Sequence, residues 1–202
     1  MKKIITASLL ILISINTLKS QDGIATKGNN IVNVYYGVNL LTAVFKNAVT
    51  NAQSTDVSVK SFGPIGLVYE HLVVDKVGLG VEVGYGSTTV DFKDVYTDNN
   101  GAINSYNYQY KFTTTRVMFR ANFHFTNSEK FDAYGFVSAG YRGSSFTFTS
   151  NDPNAIKVNY SFIPFGLKPG VGFRYFFTNN IGINLEIAIG TPVMGGGLSF
   201  KF

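Results

Sequence analysis

Few side chains in this sequence could carry acid–base, nucleophilic or metal chemistry. There are two histidines, His71 and His124, and no cysteine. Without cysteine there is no disulfide, thiolate nucleophile, Cys-ligated metal or lipid-modified N-terminal cysteine. A hydrolase needs a base within reach of a nucleophile. His71 follows Glu70, but on an extended strand adjacent side chains point to opposite faces. No serine stands one step along the same face of its strand. Both histidines therefore read as hydrogen-bonded residues at the rim of a sheet, on different faces. Asp91, Asp94 and Asp98 could gather around a divalent cation, but a solvated polar loop explains them more simply. No metal, cofactor or catalytic group is assigned. What remains is a set of charges: Glu70, Glu82 and Glu186 with Arg116, Arg120, Arg142, Lys168 and Arg174.

These charges share a parity. In Ile181 to Gly190 the odd positions are Ile181, Ile183, Leu185, Ile187 and Ile189, and the even ones are Gly182, Asn184, Glu186, Ala188 and Gly190. One face is aliphatic and the other is small or polar, a period that only a strand supports. Val117, Phe119, Ala121, Phe123 and Phe125 alternate in the same way with Arg116, Met118, Arg120, Asn122 and His124. Further alternating runs cover Val32–Leu40, Ile65–Glu70, Leu79–Gly86, Val137–Arg142, Ile163–Phe177 and Gly197–Phe202. That makes eight strands, many longer than the five or six residues usual in globular sheets.

The connections alternate in length. Val74 to Lys76, Thr126 to Lys130 and Thr178 to Asn180 are short turns. Stretches from Thr42 to Ser61, Asp91 to Asn107 and Ser150 to Asn159 are longer and polar, and a short last one runs from Thr191 to Gly195. Short turns on one side and longer loops on the other characterise barrels that span an outer membrane.

The chain begins as an export signal does. Lys2-Lys3 precedes an apolar run from Ile4 to Ile15, then a polar stretch from Asn16 to Ser20. Leu18 and Ser20 suit the −3 and −1 positions of a peptidase site. The run is shorter than the roughly 20 residues of a spanning helix. Residues 1–20 are read as a cleaved Sec-type signal peptide and 21–202 as the barrel domain. Removing Lys2, Lys3 and Lys19 reduces 17 basic residues to 14, against 12 acidic. A net charge of about +2 without a basic cluster gives no case for nucleic-acid binding.

A soluble sandwich or lipocalin-like barrel would also alternate, with its apolar face inward. Three features favour the membrane. The polar face is rich in glycine and small residues, as a narrow interior requires. Phe125, Phe177 and Phe202 sit at strand ends, where interfacial girdles lie. Charged residues are only 14% of the chain, against about a quarter in soluble domains. The fold class expected is all-β: an eight-stranded antiparallel up-and-down transmembrane β-barrel in contact with outer-membrane lipid.

The stretch from Lys168 to Glu186, with Gly170-Val171-Gly172-Phe173, the turn Thr178-Asn179-Asn180 and the strand ending on Glu186, resembles the penultimate hairpin of OmpA/OmpX-like outer-membrane barrels of the Bacteroidetes type. Leu198, Phe200 and Phe202 are similar to the closing-strand signal of such proteins. The resemblance implies recognition by barrel-assembly machinery, residence in the cell outer membrane and a monomeric barrel.

Inside so narrow a barrel, side chains fill the lumen, and the eight charges should pair across it. The expected role is structural or surface-interacting and non-enzymatic, with the outer loops as the place for a surface ligand. The alternative is a narrow porin-like channel, or a transporter for small or hydrophobic solutes with a lateral opening. Pro164 and Pro169, which cannot donate a ladder bond, would mark that opening. The apolar residues Ala43 to Phe45 and the tyrosines Tyr96, Tyr106, Tyr108 and Tyr110 either form a contact surface or, as favoured here, extend the strands above the membrane.

Overall fold

The computed structural model describes residues 23–38, 55–97, 103–156, 158–161 and 164–202. The signal segment 1–20 and Asp98 lie outside the described residues, as does the stretch 39–54, which holds the apolar residues of the first outer loop. Among the described residues nine strand segments follow in order: β1 Asn30–Val38, β2 Thr55–Val74, β3 Val77–Thr97, β4 Ile103–His124, β5 Phe131–Ser150, β6 Val158–Ser161, β7 Phe165–Phe176, β8 Ile181–Ala188 and β9 Met194–Lys201.

They occupy eight places in an antiparallel ring. β1 to β5 pair in sequence, β5 pairs with β7, β7 with β8 and β8 with β9, and β9 returns to β1. β6 and β7 share one place: β6 pairs with Ser145–Phe148 and β7 with Phe131–Tyr141 of the same strand β5. The interruption falls just before Phe165, at Pro164, which cannot donate a ladder bond. Pro169, by contrast, stays within β7 opposite Val137. It lies at the end of the β7–β8 ladder, where its carbonyl accepts from Ile189 N at 2.9 Å.

Closure is continuous. Phe200 stands opposite Val32 of β1 and Ile181 of β8. Phe202 and Asn30 exchange both main-chain hydrogen bonds, at 3.0 and 2.8 Å. Ring closure leaves no unpaired sheet edge along the wall, which hydrocarbon requires.

The short turns lie together at one end. Val74 pairs with Val77 across a two-residue turn in which Lys76 takes a positive φ of 66°. Thr178 Oγ1 accepts from Ile181 N at 2.9 Å, and Ser128 Oγ accepts from Lys130 and Phe131 N at 3.3 Å.

The outward face of the wall is apolar between its rims: Phe119 is 79% exposed and Leu185 44%. Tyr36, Tyr85, Tyr141 and Phe165 mark its outer end. Phe123, Phe125, Phe131, Tyr175 and Phe177 mark its inner end, with Phe131 and Phe173 in ring contact. From Val77 to Tyr85 is nine residues, which a tilted strand at ~3.3 Å per residue converts to roughly the 25 Å apolar band of such barrels.

The strands differ from their sequence-based bounds above that band. β2 begins at Thr55, inside the stretch read as a loop to Ser61, and β3 and β4 run to Thr97 and from Ile103, through the stretch read as a loop from Asp91 to Asn107. The physical reason is an exchange of faces. Below the band's outer end, outward residues are apolar and inward ones polar. Above it, Ser87, Thr89, Asp91 and Lys93 of β3 and Lys111, Gln109 and Asn107 of β4 follow on the outward face. Val90 and Phe92, Phe112, Tyr110 and Tyr108, and Phe146 and Phe148 follow on the inward face. The period of two continues, but a test for outward apolar residues stops at the interface.

Candidate functional site

The wall encloses a lumen that is filled in layers. The layer nearest the short turns is apolar and is completed by the segment before β1. Ile24, Ile31, Leu72 and Phe176 form one fully buried cluster. The segment is tied to turns from two hairpins: Ile24 N donates to Ser128 O at 2.9 Å, and Lys76 N donates to Ala25 O at 2.9 Å. Ala25 N donates to Asn127 Oδ1 at 3.2 Å and Lys27 N to Asp75 Oδ1 at 2.8 Å. Backbone groups crossing the mouth are thus satisfied while Ile24 and Ala25 turn fully inward.

The next layer is polar. His124 lies between two carboxylates, with Nε2 2.8 Å from Glu70 Oε1 and Nδ1 2.7 Å from Asp132 Oδ1. Arg174 bridges the same two residues, with Nη2 2.7 Å from Glu70 Oε2 and Nη1 2.9 Å from Asp132 Oδ2. All four are at least 95% buried. The guanidinium of Arg174 stacks 4.0 Å over the Tyr134 ring. Glycine makes room for this layer: a Cβ at Gly78 would collide with the Glu70 carboxylate, and one at Gly172 with the Tyr134 ring.

A second charged group lies deeper. Glu82 accepts from Lys168 Nζ at 2.7 Å, Tyr35 Oη at 2.9 Å, Ser138 Oγ at 3.1 Å and Arg120 Nη1 at 3.5 Å. Arg120 forks onto Glu186, with Nη2 2.7 Å from Oε1 and Nη1 3.1 Å from Oε2. Tyr134 Oη donates to the same Glu186 at 2.8 Å. Arg120 also lies 3.6 Å over the Phe136 ring. Beside this group Asn184 Nδ2 donates to Ser199 Oγ at 3.2 Å, which donates to Asn33 Oδ1 at 2.8 Å.

Of the eight charges read from the sequence, seven stand within ion-pair distance of a partner, and they form two groups instead of one. Glu70 and Arg174 belong to the lower group; Glu82, Glu186, Arg120, Lys168 and, at a looser 3.9 Å, Arg116 belong to the upper. Arg142 differs from expectation. It makes no ion pair among the described residues, and its Nη2 donates to Thr191 Oγ1 at 3.2 Å. It lies on the inward face, but no carboxylate shares its rung.

His124 and Asp132 were missed as members of the charge network. His124 has the parity of Arg116 and Arg120, and this places it inward rather than at an interfacial rim. Asp132 lies three steps of two below Ser138 and is reached only once β5 is extended back to Phe131. His71 points outward, with Nδ1 2.9 Å from Asn30 Oδ1. Of the acidic residues of the second outer stretch, Asp98 lies outside the described residues, and Asp91 and Asp94 stand at opposite parity on β3, Asp91 accepting from Gln109 Nε2 at 2.8 Å and lying 3.8 Å from Lys60 Nζ.

Above the band the inward face carries a continuous stack of rings. Phe92 stacks on Tyr108 at 5.3 Å and on Tyr110 at 5.6 Å, and Tyr110 on Phe148 at 4.9 Å and on Phe146 at 5.8 Å. Such pairs contribute about 0.5–1.5 kcal/mol each beyond area burial. They bind β3, β4 and β5 into one sheet beyond the support of the closed wall. The outward side of that sheet is largely hydrophilic, with Lys93 Nζ 2.9 Å from Asp56 Oδ2, and carries Phe62, Val95 and Ile103 as exposed apolar exceptions.

Residues 7–196 match the family model described as outer membrane protein beta-barrel domain. Among solved structures, the chain is similar to OprG of Pseudomonas aeruginosa, with 13% identity, 91% of this chain and 99% of that one covered, and a TM-score of 0.49. It is similar to the N-terminal β-barrel domain of Pseudomonas aeruginosa OprF, with 14% identity, 87% and 98% coverage and a TM-score of 0.45. It is also similar to Ail, the attachment invasion locus protein of Yersinia pestis, with 14% identity, 88% and 100% coverage and a TM-score of 0.44. No curated protein sequence matches.

Proposed function

Because the chain belongs to the outer membrane protein β-barrel family and resides in the cell outer membrane, we propose that it is a non-enzymatic anchor that holds a sheet above the membrane as a contact surface. The observation that carries this reading is the exchange of faces on β2 to β5. Membrane-spanning strands need about 9–11 residues, whereas β4 has 22. The surplus presents mainly hydrophilic side chains to the exterior and is stiffened by the inner stack of rings. On this reading residues 1–20 are removed on export. Leu198, Phe200 and Phe202 are the strand that the assembly machinery reads, and the mature barrel is a monomer.

In this proposal the lumen is a structural core and not a conduit. Most of its charges are paired across the lumen, and the Ile24–Ile31–Leu72–Phe176 layer lies across one mouth. Buried ion pairs of this kind lend specificity more than stability. The competing reading is a narrow channel or a transporter with a lateral opening. The interruption at Pro164 favours it, while the hydrogen bond that Arg142 N donates to Pro164 O at 3.2 Å keeps β5 tied to the chain there and counts against it.

Two measurements test the proposal. Planar-bilayer recording of the purified barrel should show no conductance; steady single-channel currents would favour the conduit. Replacing residues 88–112 by a two-residue Asn-Gly turn should leave a folded barrel in the outer membrane and abolish the attachment of whole cells to whatever surface the parent strain binds. Unchanged attachment across a panel of surfaces would remove the contact-surface reading.

A further inference from the structure

The lower charged group sets Glu70 and Asp132 against Arg174 and His124, and the upper sets Glu82 and Glu186 against Arg120 and Lys168. Once these charges are matched one for one, Arg116 and Arg142 are in excess in the upper lumen among the described residues. They stand directly opposite each other on β4 and β5, facing inward, where cross-strand Cβ atoms are about 5 Å apart and like charges destabilise the pair.

Among the described residues no carboxylate forms a close ion pair with either guanidinium. The closest carboxylate to Arg116 is Glu82, 3.9 Å from its Nε, well beyond the roughly 2.8 Å of a charged hydrogen bond. Glu82 is already engaged by Lys168, Tyr35, Ser138 and Arg120. Among the described residues Arg116 Nη2 donates to Tyr35 Oη alone, at 3.3 Å. Arg116 is 1% exposed, and its Nε and Nη1 have no hydrogen-bond partner among the described residues; nor has Nε of Arg142. Buried guanidinium donors left this way cost free energy that a native fold normally avoids.

The surroundings supply further donors. One step outward on the same face, Thr114 and Ser144 stand opposite each other, their hydroxyl oxygens 3.4 Å apart. Thr191, already in contact with Arg142, reaches in from the β8–β9 turn. Arg142 is partly exposed, which leaves the group open toward the outer mouth.

We propose that Arg116 and Arg142, with the hydroxyls of Thr114, Ser144 and Thr191, form a binding site for a small oxyanion of the phosphate or sulfate class. Two planar guanidinium forks fit the paired oxygens of an oxyanion, which a halide lacks. The site neutralises the excess cations of the upper lumen. It does not depend on the contact-surface proposal, since it rests on the wall below the projecting sheet.

The test is titration of the folded, detergent-solubilised barrel with inorganic phosphate, then sulfate, then chloride, at constant ionic strength. Unfolding temperature and calorimetric binding are the two readouts. Phosphate or sulfate should give a saturable rise of several degrees, by preferential binding to the folded state, and chloride should not. Arg142→Gln should weaken phosphate binding at least tenfold, and Arg142→Lys, which keeps the charge but loses the fork, about tenfold. Lys111→Gln, on the outward face above the membrane, should bind as the parent does. Arg142 is partly exposed, so its variants should fold even where Arg116→Gln does not. No saturable response in the parent, an equal response to chloride, or undiminished binding by Arg142→Gln would each overturn the site.

Discussion

Glu82 of β3 and Lys168 of β7 meet at 2.7 Å across the lumen, although they come from strands that share no ladder. The contact therefore reports that the ring has closed with the right stagger.

Replacing Glu82 by Gln should cost about 3–5 kcal/mol, because it leaves buried cations without their acceptor. Adding Lys168→Met should recover part of that loss, since a well-packed apolar group replaces an uncompensated charge. Urea unfolding of the two single variants and the double variant gives the coupling energy. Strict additivity would show that the pair is not an energetic unit.

The period of two was enough to identify the wall, its lipid face and the inward parity of the charges. It could not say which rung faces which across the lumen, because that depends on the stagger of the closed ring. Arg142 illustrates the limit: parity placed it among the charges, but its rung offers Thr191 instead of a carboxylate. Asp132 is the converse case, a carboxylate of the right parity that lay outside the strand as delimited. The upper halves of β3 and β4 look like loop in the sequence because their apolar side chains change faces at Tyr85, and an outward-apolar criterion is blind to that change.

That change of faces predicts where lipid ends. Phe119→Arg, in the middle of the apolar wall, should cost about 2–4 kcal/mol, whereas Thr113→Arg, on the same face beyond the interface, should cost about 0–1 kcal/mol. Equilibrium unfolding in lipid vesicles measures both. Equal penalties would place the interface elsewhere.

His124 is held from both sides by Glu70 and Asp132. His124→Leu should destabilise by about 3–5 kcal/mol, leaving Arg174 as the one cation that faces both buried carboxylates among the described residues. His124→Gln, which can still donate to one of them, should recover a measurable part of this. Indistinguishable unfolding midpoints for the two variants would argue that the site needs only volume.

Ile24 is fully buried in the apolar layer at the mouth. Ile24→Ala should cost about 2–5 kcal/mol. It should also speed hydrogen exchange at Lys76 and Leu72, whose amides donate to the carbonyls of Ala25 and Asn29. Unchanged exchange at both amides would mean that the segment is held by its hydrogen bonds alone.

The wall is not equally tall all round. β5 runs to Ser150, β3 and β4 run higher still, while β8 stops at Ala188 and β9 resumes at Met194. A molecule of this shape has a front and a back in the plane of the membrane. In a crowded bilayer a neighbour can come flush against the low β8–β9 side, but on the opposite side it meets the sheet before it meets the barrel. The angle at which each copy happens to be turned about the membrane normal therefore decides what an approaching surface encounters.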